Sequence, residues 1–479
     1  MKKRKEMLAA WEKIRMRPSE HCAGVFGLGV SGRAMAMHLK HAGYRVIGFE
    51  EGQSPYHSEL EEAGIECAVG PVDNDHLNAV DVLFLSPGVD PRKTLFTSFF
   101  SQNKPICGEL ELFDAHETPT IAVTGTNGKS TTVALEAHLL HALGRKGFAG
   151  GNYGQPLIEW RDSGDDADVV VAELSSFQLE TAYRFAAHVG VVLNVSPDHG
   201  DRYDSFEAYV DAKATLIRNL SDEGYAVLNA DCPVVSKMAQ ASSASVLWFG
   251  QHRASIPGPG LLIEGTKLIP VNDFSGLDEM NVKSLNLQGT HNMQNAAAAC
   301  LACAALFPNE KSLSQKLETA MNSFEGLEHR MEFVGEFSGV DFYNDSKATN
   351  DHAAAVAVEA MCKPTLLLVG GVSKGGGYEH LVDALASGVK QVLAFGEARF
   401  EFAEAFKDKI KLDLYETLAE AIEAACGNAG DGEAVLLAPA CSSFDEFTDY
   451  AQRGTFFKER VLLLAGRRLE SGENDDIKS

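Results

Sequence analysis

Ile121-Ala122-Val123-Thr124-Gly125-Thr126-Asn127-Gly128-Lys129-Ser130-Thr131-Thr132 runs from an apolar strand through a glycine turn into the hydroxyl-rich start of a helix. Backbone N–H groups of such a turn and of a helix N-terminus converge on one point, where the helix dipole favours negative charge. The stretch reads as a phosphate cradle. Gly125, Thr126, Asn127, Gly128 and Thr131 form its wall, Lys129 reaches terminal phosphates and Ser130 faces Mg²⁺. The spacing departs from GxxxxGK(S/T), because Val123 stands where the first glycine should be. A ligand-free glycine turn is the plainer alternative, but Gly-Lys-Ser-Thr directly after a strand is uncommon without a phosphate to hold.

Strands and helices alternate on both sides of the cradle. Upstream, Val25-Phe26 enters the GxGxxG turn Gly27-Leu28-Gly29-Val30-Ser31-Gly32, with a helix expected over 33–41. A strand over 45–49 then ends at Glu50 and Glu51, where a dinucleotide fold places its ribose-binding acid. A nicotinamide oxidoreductase would use this turn, yet any diphosphate satisfies the same backbone donors. Another strand, 80–85, ends in Ser86-Pro87-Gly88-Val89, and polar 111–120 closes this part. Downstream, strands over 169–172, 189–193 and 226–228 close on polar residues, 251–283 reads as loops or short surface strands, and 292–306 as an apolar helix. After a linker at 324–327, strands follow at 340–343, 365–369, 392–395 and 435–437. The expected class is α/β, with three domains at 1–115, 116–327 and 328–479, mostly parallel sheets, and ligands at the strands' carboxyl ends.

Polar clusters sit at those ends: Gly151-Asn152, Glu173-Leu174-Ser175-Ser176, then 194–201 with Asp198-His199. Mg²⁺ takes few hard oxygen ligands from protein, completing its octahedron with phosphate and water, which suits Ser130 and Glu173. For His199, a second metal, a substrate contact and a surface hydrogen bond all stay open. Lys213, on an amphipathic helix, would ordinarily be solvated. In the last domain, 344–350 suits a nucleotide and a second substrate, and Lys374, in a glycine loop, suits a carboxylate. Cys441-Ser442-Ser443 lacks a GxSxG turn, which favours backbone or carboxylate binding over nucleophilic catalysis.

A net charge of −25 and a pI near 5.0 argue against nucleic acid or an anionic membrane as main partner. Nine scattered cysteines suggest reduced thiols, with Cys300 and Cys303 as small buried side chains of a helix. No apolar run approaches the roughly 20 residues of a membrane helix, so stable insertion is not expected. The basic start, with Leu8, Trp11 and Ile14 at helical spacing, suits an amphipathic surface helix or one packed on its own domain.

Taken together, 124–131, 173–179, 194–203, 289–295, 326–330, 345–350 and 439–444 resemble the Mur ligases, ATP-dependent enzymes that add amino acids to the peptidoglycan precursor. The likeness runs from Val25 to Arg460 and is strongest to members that add D-glutamate; folylpolyglutamate synthetases share the cradle but would not be expected to carry the whole set. The resemblance implies a Rossmann-like N-terminal domain for the UDP group, a central P-loop ATPase-like domain and a Rossmann-like amino-acid domain. Ser31 and Ser86 would serve the diphosphate, Glu50 the uracil side, and Asn152 and Ser175 the sugar substrate. Asn295, Arg330, Asp345 and Lys347 would contact ATP; Glu173, His199 and a carbamylated Lys213 would join Ser130 around two Mg²⁺ ions. Thr349, Lys374, Ser443 and Tyr450 would grip D-glutamate. Lys129, Glu173, His199, Lys213 and Lys374 would carry catalysis. The implied reaction joins D-glutamate to UDP-N-acetylmuramoyl-L-alanine through an acyl phosphate, in a cytoplasmic monomer whose last domain closes over the substrates.

Overall fold

Twenty strands form three sheets in the computed structural model, which describes residues 2–471 apart from 116, 201, 285–289, 374 and 376. The chain divides into two compact units, one reaching Lys283 and including His291–Phe324, the other made of Ser284–Thr290 and the chain from Glu325 onward.

The first unit holds two sheets. In the N-terminal one, β1 (Cys22–Phe26), β2 (Arg45–Glu50), β3 (Glu66–Val69), β4 (Val82–Leu85) and β5 (Ile106–Cys107) lie in the order β3-β2-β1-β4-β5, all parallel. β1 and β4 are buried along their whole length, as parallel strands covered on both faces require. The Lys2–Arg15 helix seats Met7, Trp11 and Ile14 in this domain, Trp11 meeting Phe84 edge-on at 5.3 Å between ring centres. The basic start therefore packs on its own domain.

The second sheet runs β14-β13-β12-β11-β10-β9-β6-β8-β7, with β6 (Thr120–Thr124), β7 (Gly147–Gly151), β8 (Val169–Glu173), β9 (Val189–Val192), β10 (Tyr225–Asn229) and β11 (Ser245–Gly250) parallel. β12 (Gly260–Glu264), β13 (Lys267–Val271) and β14 (Met280–Asn281) extend it, β13 running antiparallel to both neighbours. Of the loops or short surface strands expected over 251–283 the strands are present, but Leu261, Leu262, Ile263 and Leu268 are buried, so they close the sheet edge rather than lie on the surface. Cys300 and Cys303 are fully buried in the Thr290–Leu306 helix, and all nine cysteines are free.

In the second unit, β15 (Glu332–Phe337), β16 (Val340–Asn344), β17 (Thr365–Gly370), β18 (Val389–Phe395), β19 (Leu412–Leu414) and β20 (Ala434–Ala440) order as β15-β16-β20-β17-β18-β19. Only β15 is antiparallel, so the carboxyl ends of neighbouring β16, β20 and β17 open side by side.

Candidate active site

β6 ends between β9 and β8, and the phosphate loop follows it. Gly128 caps the Lys129–Ala142 helix at φ +86°, and a Cβ there would run into the Asn295 side chain. The loop is stapled to the end of β9. Thr126 N donates to Asn194 O at 2.9 Å and Asn127 N to Asn194 Oδ1 at 2.8 Å, while Asn194 Nδ2 donates to Asn127 O at 3.1 Å. With those two amides committed to Asn194, anion-facing donors fall to the helix N-terminus, where the dipole also acts. Lys129 Nζ lies over the loop, donating to Gly125 O and Thr126 O, each at 2.8 Å.

β8 delivers Glu173 beside the loop. Its buried carboxylate accepts from Ser130 Oγ through Oε2 and from Asn152 Nδ2 at 2.8 Å through Oε1, so three predicted residues meet. Register explains the meeting, since Val123 and Gly151 flank Glu173 across the sheet. Ser175 caps its helix instead, accepting from Gln178 N at 3.2 Å. Lys213 is only 2% exposed, which overturns the solvated reading: the Phe206–Arg218 helix lays it under the loop, where Nζ donates to Gly125 O at 2.8 Å. Burial, and secondarily Lys129, push its amine well below the usual lysine range. His199, at φ +55°, rests its ring on Phe177 with centres 4.8 Å apart, its Nε2 3.7 Å from Asp198. Among the described residues no three His, Cys, Asp or Glu side chains converge on a metal position.

In the N-terminal sheet, Glu50 Oε2 accepts from Leu28 N at 2.7 Å and Ser86 Oγ donates to Gly27 O at 2.6 Å, so both brace the glycine turn. Ser31 opens the Val30–His41 helix beside them. Sequence reasoning missed Arg202. It reaches from the His199 segment to Glu180 Oε2 at 2.8 Å, Val89 O at 3.1 Å and Gly88 O at 3.4 Å, while Arg92 Nη2 donates back to Arg202 O at 2.5 Å. A charged residue in a polar motif gives no local signal of such burial.

The second unit groups another set. Burial pushes the Asp345 carboxyl up to about 7, against the opposing pull of Arg330 and a Met331 backbone hydrogen bond. Lys347 Nζ sits 3.7 Å from the centre of the Tyr450 ring, close enough for a cation–π contact. Thr349 follows β16, Ser443 is buried after β20, and Lys374 lies outside the described residues.

Family profiles described as Mur ligase MurD-like N-terminal domain, Mur ligase middle domain and Mur ligase glutamate ligase domain match residues 21–108, 123–303 and 329–441. The chain belongs to the Mur ligase family. It is 37% identical over 447 residues to the UDP-N-acetylmuramoylalanine–D-glutamate ligase of Syntrophus aciditrophicus, covering 92% of this chain and 97% of that protein. The Geotalea daltonii ligase of the same name is also 37% identical, over 448 residues, with the same coverage. Among solved structures, MurF ligase from Thermotoga maritima in complex with ADP shares the fold at TM-score 0.58 and 16% identity, covering 89% of this chain and 95% of that one. A pseudomurein peptide ligase type C from Methanothermus fervidus does so at TM-score 0.57 and 19% identity, covering 93% and 100%. Among the described residues no helix is long and apolar enough to cross a membrane.

Proposed function

We propose that the protein is an ATP-dependent ligase joining D-glutamate to UDP-N-acetylmuramoyl-L-alanine in peptidoglycan precursor synthesis. The observation that carries the reading is the meeting of Lys129, Ser130, Glu173 and Lys213 around one phosphate loop. In this reading the domain boundaries fall at 115/116 and 327/328, and the enzyme works as a cytoplasmic monomer.

The alanyl carboxylate attacks the γ-phosphorus of ATP, the bond to the β-phosphate oxygen breaks and ADP leaves. Lys129 neutralises the approach of the two anions, and the helix N-terminus holds the transferred group. The amine of D-glutamate then attacks the acyl phosphate carbon, and inorganic phosphate departs with the C–O bond electrons and takes up the extra proton that the new amide nitrogen gives up.

The Ser130 hydroxyl and the buried Glu173 carboxylate are hard oxygen donors, which fits Mg²⁺. Bound there, Mg²⁺ supplies charge neutralisation for the phosphates. His199 and Lys213 would serve a second ion, Lys213 as a carbamate: a neutral buried amine is the form that adds CO₂, and the product would offer anionic oxygens. The remaining assignments are Gly125, Thr126, Asn127, Gly128, Thr131, Asn295, Arg330, Asp345 and Lys347 for ATP, Ser31, Glu50, Ser86, Asn152 and Ser175 for the UDP-sugar, and Thr349, Lys374, Ser443 and Tyr450 for D-glutamate.

The test is phosphate release with ATP, Mg²⁺, the UDP-sugar and D-glutamate, omitting each in turn. Release should require all four, and no release from the complete mixture would overturn the reading.

A further inference from the structure

Arg453 stands in the first turn of the Tyr450–Ser471 helix and is fully buried. All five guanidinium N–H groups are used. Nε donates to Ser346 Oγ at 3.0 Å, Nη1 to Gly370 O at 3.3 Å and Ser442 O at 3.2 Å, and Nη2 to Ser346 O at 2.9 Å and Cys441 O at 3.1 Å. These acceptors belong to the ends of β16, β17 and β20, three adjacent strands.

No ion pair among the described residues includes Arg453. Asp445 and Glu446 act on it through space, while their carboxylates accept from Glu397 N at 3.2 Å and Leu418 N at 3.0 Å. Burial lowers its pKa to about 10, which leaves it charged at neutral pH. Burying a charge without an ion partner is costly. What the guanidinium offers in return is five donors in one rigid plane, where a lysine offers three around a point.

The bound loops are also joined to one another. Val372 N donates to Ser442 O at 2.9 Å and Ser442 N to Val372 O at 3.1 Å, a close approach that Gly371 permits at φ +121°, since a Cβ there would collide with Ser442 O. Ser346 Oγ, besides accepting from Arg453, donates to Tyr450 O at 2.7 Å. The loop after β16 continues to Thr349, and the loop after β20 to Ser443.

Building on the D-glutamate ligase reading, we propose that Arg453 is a positioning residue of the amino-acid site, its five hydrogen bonds setting the spacing of the three strand-end loops that bear Thr349, Ser443 and the 371–373 turn. It touches no substrate. It acts by holding the loops that do.

The test is steady-state kinetics of the full-length protein and its Arg453→Lys and Ser346→Ala variants with each substrate varied. Lysine keeps the charge but cannot span five acceptors, so the KM for D-glutamate should rise about tenfold or more, given how steeply misplacement by an ångström is felt. The KM for the UDP-sugar should stay within about twofold, while that for ATP, whose Asp345 and Lys347 flank Ser346, should rise less than that for D-glutamate. Ser346→Ala removes one acceptor and should raise the same parameter less; it decides the matter alone if Arg453→Lys does not fold. A fall in kcat with all three KM values unchanged, or a joint rise of all three, would overturn the proposal. Wild-type protein inactive with D-glutamate would refute the ligase reading itself, a result distinct from a defect confined to the variants.

Discussion

Lys213 Nζ donates to the Gly125 carbonyl at 2.8 Å, so a helix-borne lysine supports the phosphate loop from beneath. Its lowered pKa, caused first by burial, favours the neutral amine that adds CO₂. Lys213→Ala should cut phosphate release about 100-fold or more, with partial recovery on adding acetate or formate. Wild-type protein in ¹³C-bicarbonate should show a carbamate resonance that the variant lacks. Full activity in the variant would leave Lys213 a packing residue.

Arg202 joins the His199 segment to the Gly88-Val89 turn of the neighbouring domain, its side chain 8% exposed. Arg202→Met should raise the KM for the UDP-sugar about tenfold and leave that for ATP unchanged. Kinetics with each substrate varied separately check this, and an equal rise in both would show only general damage.

Asp345, pushed up to about 7, is largely protonated in the free protein below that pH. The carboxylate accepts hydrogen bonds from a nucleotide more strongly than the protonated acid does, so the KM for ATP should fall as pH rises through about 7. Asp345→Asn should flatten that dependence. A wild-type profile already flat there would contradict the assignment.

Glu136 is fully buried, neither carboxyl oxygen has a hydrogen-bond partner among the described residues, and burial raises its pKa well above 4.5. A raised folded-state pKa contributes stability that is present below the unfolded value and lost as pH rises through the folded one. Glu136→Met should therefore raise Tm by about 3–6 °C at pH 8, and by less near pH 4.5. Calorimetry at the two pH values checks it, and equal gains would contradict a titrating Glu136.

The strands that carry the site were legible because parallel strands buried on both faces read as short apolar runs; β6, β8, β9, β16, β17 and β20 were all found this way, with their polar ends. Ser130, Glu173 and Asn152 followed from position at those ends. Lys213 did not, because helical periodicity cannot reveal that its helix lies against the loop after β6. Arg202 and Arg453 escaped for the same reason, their burial arising from backbone carbonyls far away in sequence. Short strands were one reading of the glycine- and proline-rich 251–283, but the pairing and burial of the β12–β13 hairpin were not foreseen, although Glu264-Gly265-Thr266-Lys267 between apolar runs is a hairpin signal.

The most direct test follows the oxygen atoms. With ATP, Mg²⁺, D-glutamate and UDP-N-acetylmuramoyl-L-alanine carrying ¹⁸O in its alanyl carboxylate, each phosphate released should acquire an ¹⁸O from that carboxylate while D-glutamate is joined to the sugar nucleotide. Unlabelled phosphate, or phosphate released without D-glutamate being joined, would contradict it.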